Sequence, residues 1–231
     1  VLILGVVLLS DRQNFKVSWK QFGILLVLGV LYTASSTFLF KSYNYIPSGL
    51  ATTLVFLFPV LVAVIMVFLR VVPSWQVWVA IVATFIGVII MTQSDSTREI
   101  DTVGVLLSLG SALSYAFFVV IINRNKAISN ISNSLLTFYV LLVGAIFFLS
   151  RVTATGGNLT VGIETKVDCL NLVGLAVLPT IVSTATLAVA TRNIGATKAS
   201  VLGVFEPITA ILVGTLVFGE ALTNNIIVGI L

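Results

Sequence analysis

Histidine is absent from the 231 residues, cysteine occurs once, and Asp, Glu, Lys and Arg together make up only 9%. Each shortage removes a class of function. Without His and with Cys169 alone there is no His-based catalytic triad, no His/Cys zinc site and no internal disulfide framework. Cys169 reads as a small apolar helix residue rather than a reactive thiol. A soluble domain carries roughly a quarter charged residues, so no water-facing surface can be built from what is here. The balance of +4 is too sparse for a nucleic-acid footprint. Gly156-Gly157 is not followed by a Gly-Lys-Ser/Thr triplet, so the pair marks loop flexibility and not a phosphate-binding loop. No cofactor and no metal are expected. No basic segment followed by a short apolar core opens the chain, so no signal peptide is read, and a start and stop inside apolar runs point to a truncated sequence.

What is abundant is apolar: hydrophobic residues are 58% and the mean hydropathy is +1.18. Most of the surface must therefore face lipid, and the lipid bilayer is the first partner implied. Crossing a bilayer takes about 20 apolar residues as a helix, because only a helix satisfies its own backbone there. The runs Phe22–Phe40, Leu50–Leu69, Trp75–Thr92, Val103–Ile122, Leu170–Ala190 and Ala199–Phe218 are complete candidates. Leu135–Leu149 is short for a span, Val1–Leu9 is a stub, and a last stub begins near Asn225. The reading is an all-α membrane protein with about eight to nine helices present.

Loop charges set an orientation. Alternate connections hold Arg12, Lys16, Lys20, Arg70, Arg124, Lys126, Arg192 and Lys198, with Asp11 as their one acid. The others hold Lys41, Arg98, Arg151 and Lys166 beside Asp95, Glu99, Asp101, Glu164, Asp168 and Glu220. The basic set is expected on the cytoplasmic side of an inner or plasma membrane. Trp19, Trp75 and Trp78, at helix starts on that side, read as interfacial anchors. Asn158-Leu159-Thr160 fits a glycosylation acceptor in an outward loop.

Offsetting the sequence by 148 residues aligns Ser35-Ser36 with Ser183-Thr184, Ile46 with Ile194 and Ala51-Thr52 with Ala199-Ser200. Leu54 then meets Leu202, and Pro59 meets Pro207. The offset covers five helices, an odd number, so the two copies would lie in opposite orientations. The expected organisation is a first inverted repeat over 1–92, a linker over 93–102 and a second repeat over 103–231. The parent would be a ten-helix bundle of two inverted five-helix repeats with both termini cytoplasmic. This chain would lack its first helix and the end of its last.

Phe56-Leu57-Phe58-Pro59-Val60-Leu61-Val62-Ala63, Phe205-Glu206-Pro207-Ile208-Thr209-Ala210 and Phe218-Gly219-Glu220 carry a resemblance. With the helix spacing around them, the chain resembles the EamA-type permeases of the drug/metabolite transporter superfamily over nearly its whole length. The first half departs from the pattern, with Arg70-Val71-Val72 where the second has Phe218-Gly219-Glu220. The resemblance implies export of small metabolites or drugs and names no substrate.

Glu206 is the sharpest candidate, since an acid at mid-bilayer costs about 3 kcal/mol and must face the bundle interior or a wet cavity. There it can take up and release a proton during a cycle; the plainer alternative is a protonated carboxyl acting as packing glue. Pro59 and Pro207, at matched positions, each free a backbone carbonyl one turn back and kink their helices. Tyr32, Ser35, Ser36 and Tyr43 share one helix face, and Thr180, Ser183, Thr184 and Thr191 are their mates. As a set they suit a hydrogen-bonding cavity for a small-molecule substrate. Singly, each is as well explained by bonding back to its own helix. Tyr115 is a further candidate on a helix whose Gly104, Ser108, Ala112 and Ala116 form a close-packing seam. Thr52 and Ser200 sit at helix starts, and Lys198 nearby reads as a side chain reaching for the interface.

These residues lead to a secondary transporter working by alternating access, coupled to a proton, another ion or the substrate gradient, with a homodimer open to it. An enzyme would need paired acids, His or a metal cluster at membrane depth, where Glu206 stands alone. A channel would want a filter or charged ring, and a non-transporting scaffold or receptor would show no saturable flux.

Overall fold

The protein is seen in a computed structural model that describes residues 16–46, 48–92, 101–157 and 165–206, with isolated positions 1, 4, 5, 8, 209 and 216 besides. Among the described residues there is helix and no strand. In chain order the helices are α1 (Trp19–Ser42), α2 (Ser48–Val55), α3 (Phe58–Phe68), α4 (Trp75–Thr92), α5 (Thr102–Arg124), α6 (Asn133–Ala154), α7 (Lys166–Leu175), α8 (Ser183–Ile194) and α9 (Ala196–Val201). Among the described residues, five stretches are long and apolar enough to cross a membrane: Trp19–Ser42, Leu50–Phe68, Thr102–Arg124, Asn133–Ala154 and Lys166–Ile194. The chain is an integral membrane protein.

Polar residues at the edges of the apolar runs set the helix starts. Ser18 and Gln21 form a reciprocal capping box on α1, and Thr165 and Asp168 form one on α7. Asp101 accepts from the Val103 N–H at 2.8 Å and Ser132 from the Leu135 N–H at 3.2 Å, opening α5 and α6. The run that looked short, Leu135–Leu149, is the middle of a 22-residue helix. Its polar end continues through Ser150 and Thr153, whose hydroxyls donate to carbonyls of their own helix. Back-bonding of this kind keeps a helix going where the hydropathy signal has already stopped.

Two spans are interrupted. Leu50–Leu69 divides into α2 and α3 at Phe56–Leu57, two residues before Pro59, which has no N–H to give the Val55 carbonyl. Lys166–Ile194 carries a π-helical segment at Ala176–Val182, around Pro179. The Leu175 carbonyl, left without an N–H from Pro179, accepts instead from the Thr180 hydroxyl at 3.1 Å. The second-half helix passes from α9 into a 3-10 turn at Leu202–Val204 and is described as far as Glu206. Pro207, Glu220, Asn158 to Thr160 and the stub near Asn225 lie outside the described residues.

α5 is the axle of the bundle and touches α1, α2, α3 and α8. Gly104, Ser108, Ala112 and Ala116 are all buried along it. A Cβ at Gly104 would come within 2.7 Å of Ile46, so the seam sets how near its neighbours approach. α1 crosses α6 as closely, for a Cβ at Gly29 would stand 2.5 Å from Val143.

One end of the bundle is tied together by polar bonds. The Arg192 guanidinium at the end of α8 donates to the Ile131 carbonyl and, at 2.9 Å, to the Ile128 carbonyl. Asn123 Nδ2 donates to the Thr191 carbonyl at 2.9 Å, and Gln21 Nε2 donates to the Ala127 carbonyl at 3.0 Å. Residues 71–74 and 194–198 line a common crevice. The connections bearing Lys16, Lys20, Arg70, Arg124, Lys126, Arg192 and Lys198 therefore meet at one end.

Candidate functional site

The broken helices frame two adjoining cavities that share Phe58, Tyr115 and Glu206. The larger, about 530 Å³, is lined besides by Ser183, Thr186, Leu187, Ala190, Ala199, Leu202 and Gly203. The smaller, about 200 Å³, is lined by Tyr32, Ser35, Ser36, Leu39, Thr52, Val55 and Phe56. Glu206 stands two residues past the 3-10 turn, at the boundary of both. Among the described residues no hydrogen bond or ion pair holds it, and no Lys or Arg lines either cavity.

An aromatic wall stands opposite. Phe58 and Tyr115 meet edge to face with centroids 5.0 Å apart. Tyr115 stacks on the fully buried Phe118 at 5.9 Å, and Tyr32 tilts against Phe118 at 5.5 Å. Such pairs fix one another's orientation and are each worth about 0.5–1.5 kcal/mol beyond burial. The Tyr32 hydroxyl lies 3.4 Å from that of Thr184, joining α1 to α8.

Of the residues singled out from sequence, Glu206, Tyr32, Ser35, Ser36, Tyr115, Ser183 and Thr52 line the cavities. Thr184 is buried and lines neither cavity, but its hydroxyl lies 3.4 Å from that of Tyr32, which lines the smaller one. Tyr43 does not come to either cavity. It sits at the C-terminal cap of α1 with its ring edge to Phe40, about 16 Å along the axis from Tyr32 at 1.5 Å per residue. Nor does Thr180, whose hydroxyl is spent on the Leu175 carbonyl within the π-helical segment. Thr191 and Ser200 are buried outside the cavities, and Lys198 lines the crevice at the basic end. Pro59 stands at the start of α3, just past the interruption.

Sequence reasoning missed Phe58 and Thr186, although the 148-residue offset that picked out Pro59 and Pro207 also pairs Phe58 with Glu206. The same offset pairs Ser35 with Ser183, Leu39 with Leu187 and Val55 with Gly203, one of each pair in each cavity. Ser111 was also passed over; its hydroxyl donates to the Ser35 carbonyl at 2.8 Å.

A model of the EamA-like transporter family matches residues 1–93 and 102–231. The chain belongs to the EamA-like transporter family. An uncharacterized transporter of Synechocystis is 27% identical over 96% of this chain and 66% of its own length. The uncharacterized transporter YvbV of Bacillus subtilis is 27% identical over 64% of this chain and 48% of its own. The EamA-like chain thus spans about two thirds of the first relative and about half of the second. A solved crystal structure superposes with a TM-score of 0.81 over 99% of this chain and 80% of that one, at 13% identity. The fold is therefore shared well beyond the reach of sequence similarity.

Proposed function

We propose that this EamA-like protein is a secondary transporter that exports a small metabolite or drug through the paired cavities by alternating access. The observation that carries the reading is Glu206, an acid held by no partner among the described residues, at the boundary of two cavities between interrupted helices. Broken helices at corresponding positions of two halves are a recurrent mark of carrier binding sites. The repeat-mated linings support two inverted halves, 1–92 and 103–231 about a 93–102 linker, and the two stretches matched by the family model support the same division. In a parent of ten helices the basic end faces the cytoplasm with both termini, as the positive-inside rule requires. The bond from Gln21 to the Ala127 carbonyl joins the two halves at that end, and rocking of the halves would break it, while the bonds of Arg192 and Asn123 brace the second half itself. Glu206 takes a proton in one phase and releases it in another, coupling transport to the proton gradient.

The test is flux in liposomes holding the full-length parent, with labelled amino acids, nucleosides, sugars and cationic drugs, with and without a pH gradient. Saturable, gradient-dependent flux lost in Glu206→Gln is the expected result. Gradient dependence that survives Glu206→Gln removes the carboxyl from the coupling step. Flux that rises linearly without saturation favours a pore over a carrier.

A further inference from the structure

The lining of the two cavities is chemically one-sided. Its described residues include one acid and no base. Four of the seven hydroxyl hydrogens on its described residues are already committed within the protein, three of them to backbone. Ser36 donates to the Tyr32 carbonyl at 3.2 Å and Thr52 to the Ser48 carbonyl at 2.7 Å. Thr186 donates to the Val182 and Ser183 carbonyls at 2.8 and 3.0 Å. Ser35 follows by elimination. Ser111 gives its single hydrogen to the Ser35 carbonyl, so in the 3.1 Å contact between the two hydroxyls Ser35 is the donor. A hydroxyl has one hydrogen and two lone pairs. These four therefore turn only lone pairs toward the cavities. Tyr115 and Ser183 keep a hydrogen to give, the Tyr32 hydroxyl is paired with that of Thr184, and none of the three brings a positive charge.

The ring surfaces point the same way, since aromatic faces carry partial negative charge and attract cations. Phe58 and Tyr115 form an edge-to-face corner at the boundary that also holds Glu206. An anion would meet lone pairs and a carboxylate where it needs donors. A neutral solute would leave the carboxylate unmatched. An N–H-bearing cation finds a carboxylate, hydroxyl lone pairs and aromatic faces together, in volumes of about 530 and 200 Å³.

We infer that the solute of this site is a small organic ammonium ion, a protonated primary or secondary amine bearing an aromatic or alkyl group. Its nitrogen lies at Glu206 and its apolar part in the corner of Phe58 and Tyr115. The inference deepens the transport proposal and rests on its reading that the cavity pair is the solute path.

Binding to the full-length protein in detergent tests it, with radiolabelled phenethylammonium as probe. Its competitors are propylbenzene, a neutral isostere, 3-phenylpropanoate, an anion, and phenylalanine, a zwitterion. Phenethylammonium should bind at least about tenfold more tightly than any of the three, as pairing with a carboxylate and ring faces implies. Glu206→Gln should remove that margin. Phe58→Leu, which keeps apolar bulk and removes the ring, should weaken the amine several-fold and leave propylbenzene nearly unchanged; it serves as a second probe should Glu206→Gln fail to fold. Anion or zwitterion binding as tight as that of the amine overturns the inference, as does an amine preference that survives Glu206→Gln. Saturable flux of an anionic or neutral solute without amine binding would sink the inference and leave the carrier proposal standing. Amine binding with no flux of any solute would do the reverse.

Discussion

A serine in a membrane helix has two uses for its one hydrogen, and the choice decides what it offers a solute. Ser35 and Ser111 are both buried, and their hydroxyls form a closed pair between α1 and α5. Ser111→Ala should lower stability by about 0.6 kcal/mol, the average for an interhelical hydrogen bond in a membrane protein. It should also release the Ser35 hydrogen toward the smaller cavity. Thermal unfolding in detergent reads the first effect, and weaker discrimination against 3-phenylpropanoate reads the second. Residue type and helical spacing are enough to single out Ser35, Ser36 and Ser183 as candidates. Where the Ser35 hydrogen goes is not legible in the chain, because it depends on which group the neighbouring helix brings within about 3 Å.

Helices in lipid gain nothing from burying apolar surface against one another, so close backbone approach has to come from small residues. Gly29 is the sharpest case, with Val143 occupying the space a side chain would need. Gly29→Ala should destabilise the protein by about 1–3 kcal/mol, the usual cost of an overpacked contact. Its melting temperature should fall, while Gly23→Ala, where a Cβ meets nothing, should leave it in place. Equal melting temperatures for the two variants would mean that α1 and α6 shift apart freely. The seam on α5 was legible from its four-residue spacing. The α1–α6 crossing was not, because Gly29 has no periodic partner in sequence and its neighbour comes from more than a hundred residues away. The interruption before Pro59 was legible in kind, since proline removes a donor wherever it stands. Pro179 carries the same missing N–H and was passed over because its partner by the 148-residue offset, Leu31, is no proline.

At the scale of the molecule, polar bonds tie one end, with Gln21 joining the two halves and Arg192 bracing the second half. Arg192 holds two carbonyls of the turn after α5, and hydrogen bonds to charged groups contribute about 1.5–3 kcal/mol. Arg192→Gln should therefore speed amide exchange over residues 124–132 by about tenfold or more. Hydrogen–deuterium exchange by mass spectrometry measures it. Unchanged exchange would mean that Asn123 and Gln21 hold the turn unaided, and that Arg192 is no latch. By itself the sequence determined the membrane class, the approximate spans, the family and the presence of an acid beside a proline deep in an apolar helix. Those follow from composition, hydropathy and motif, which are properties of the chain taken locally. Only the tertiary structure decided that Phe58 and Tyr115 stand with Glu206, that Tyr43 and Thr180 do not, and which hydroxyls face the cavities as acceptors. Each of those depends on distances between helices far apart in sequence, set by where small residues let backbones meet and where prolines loosen them.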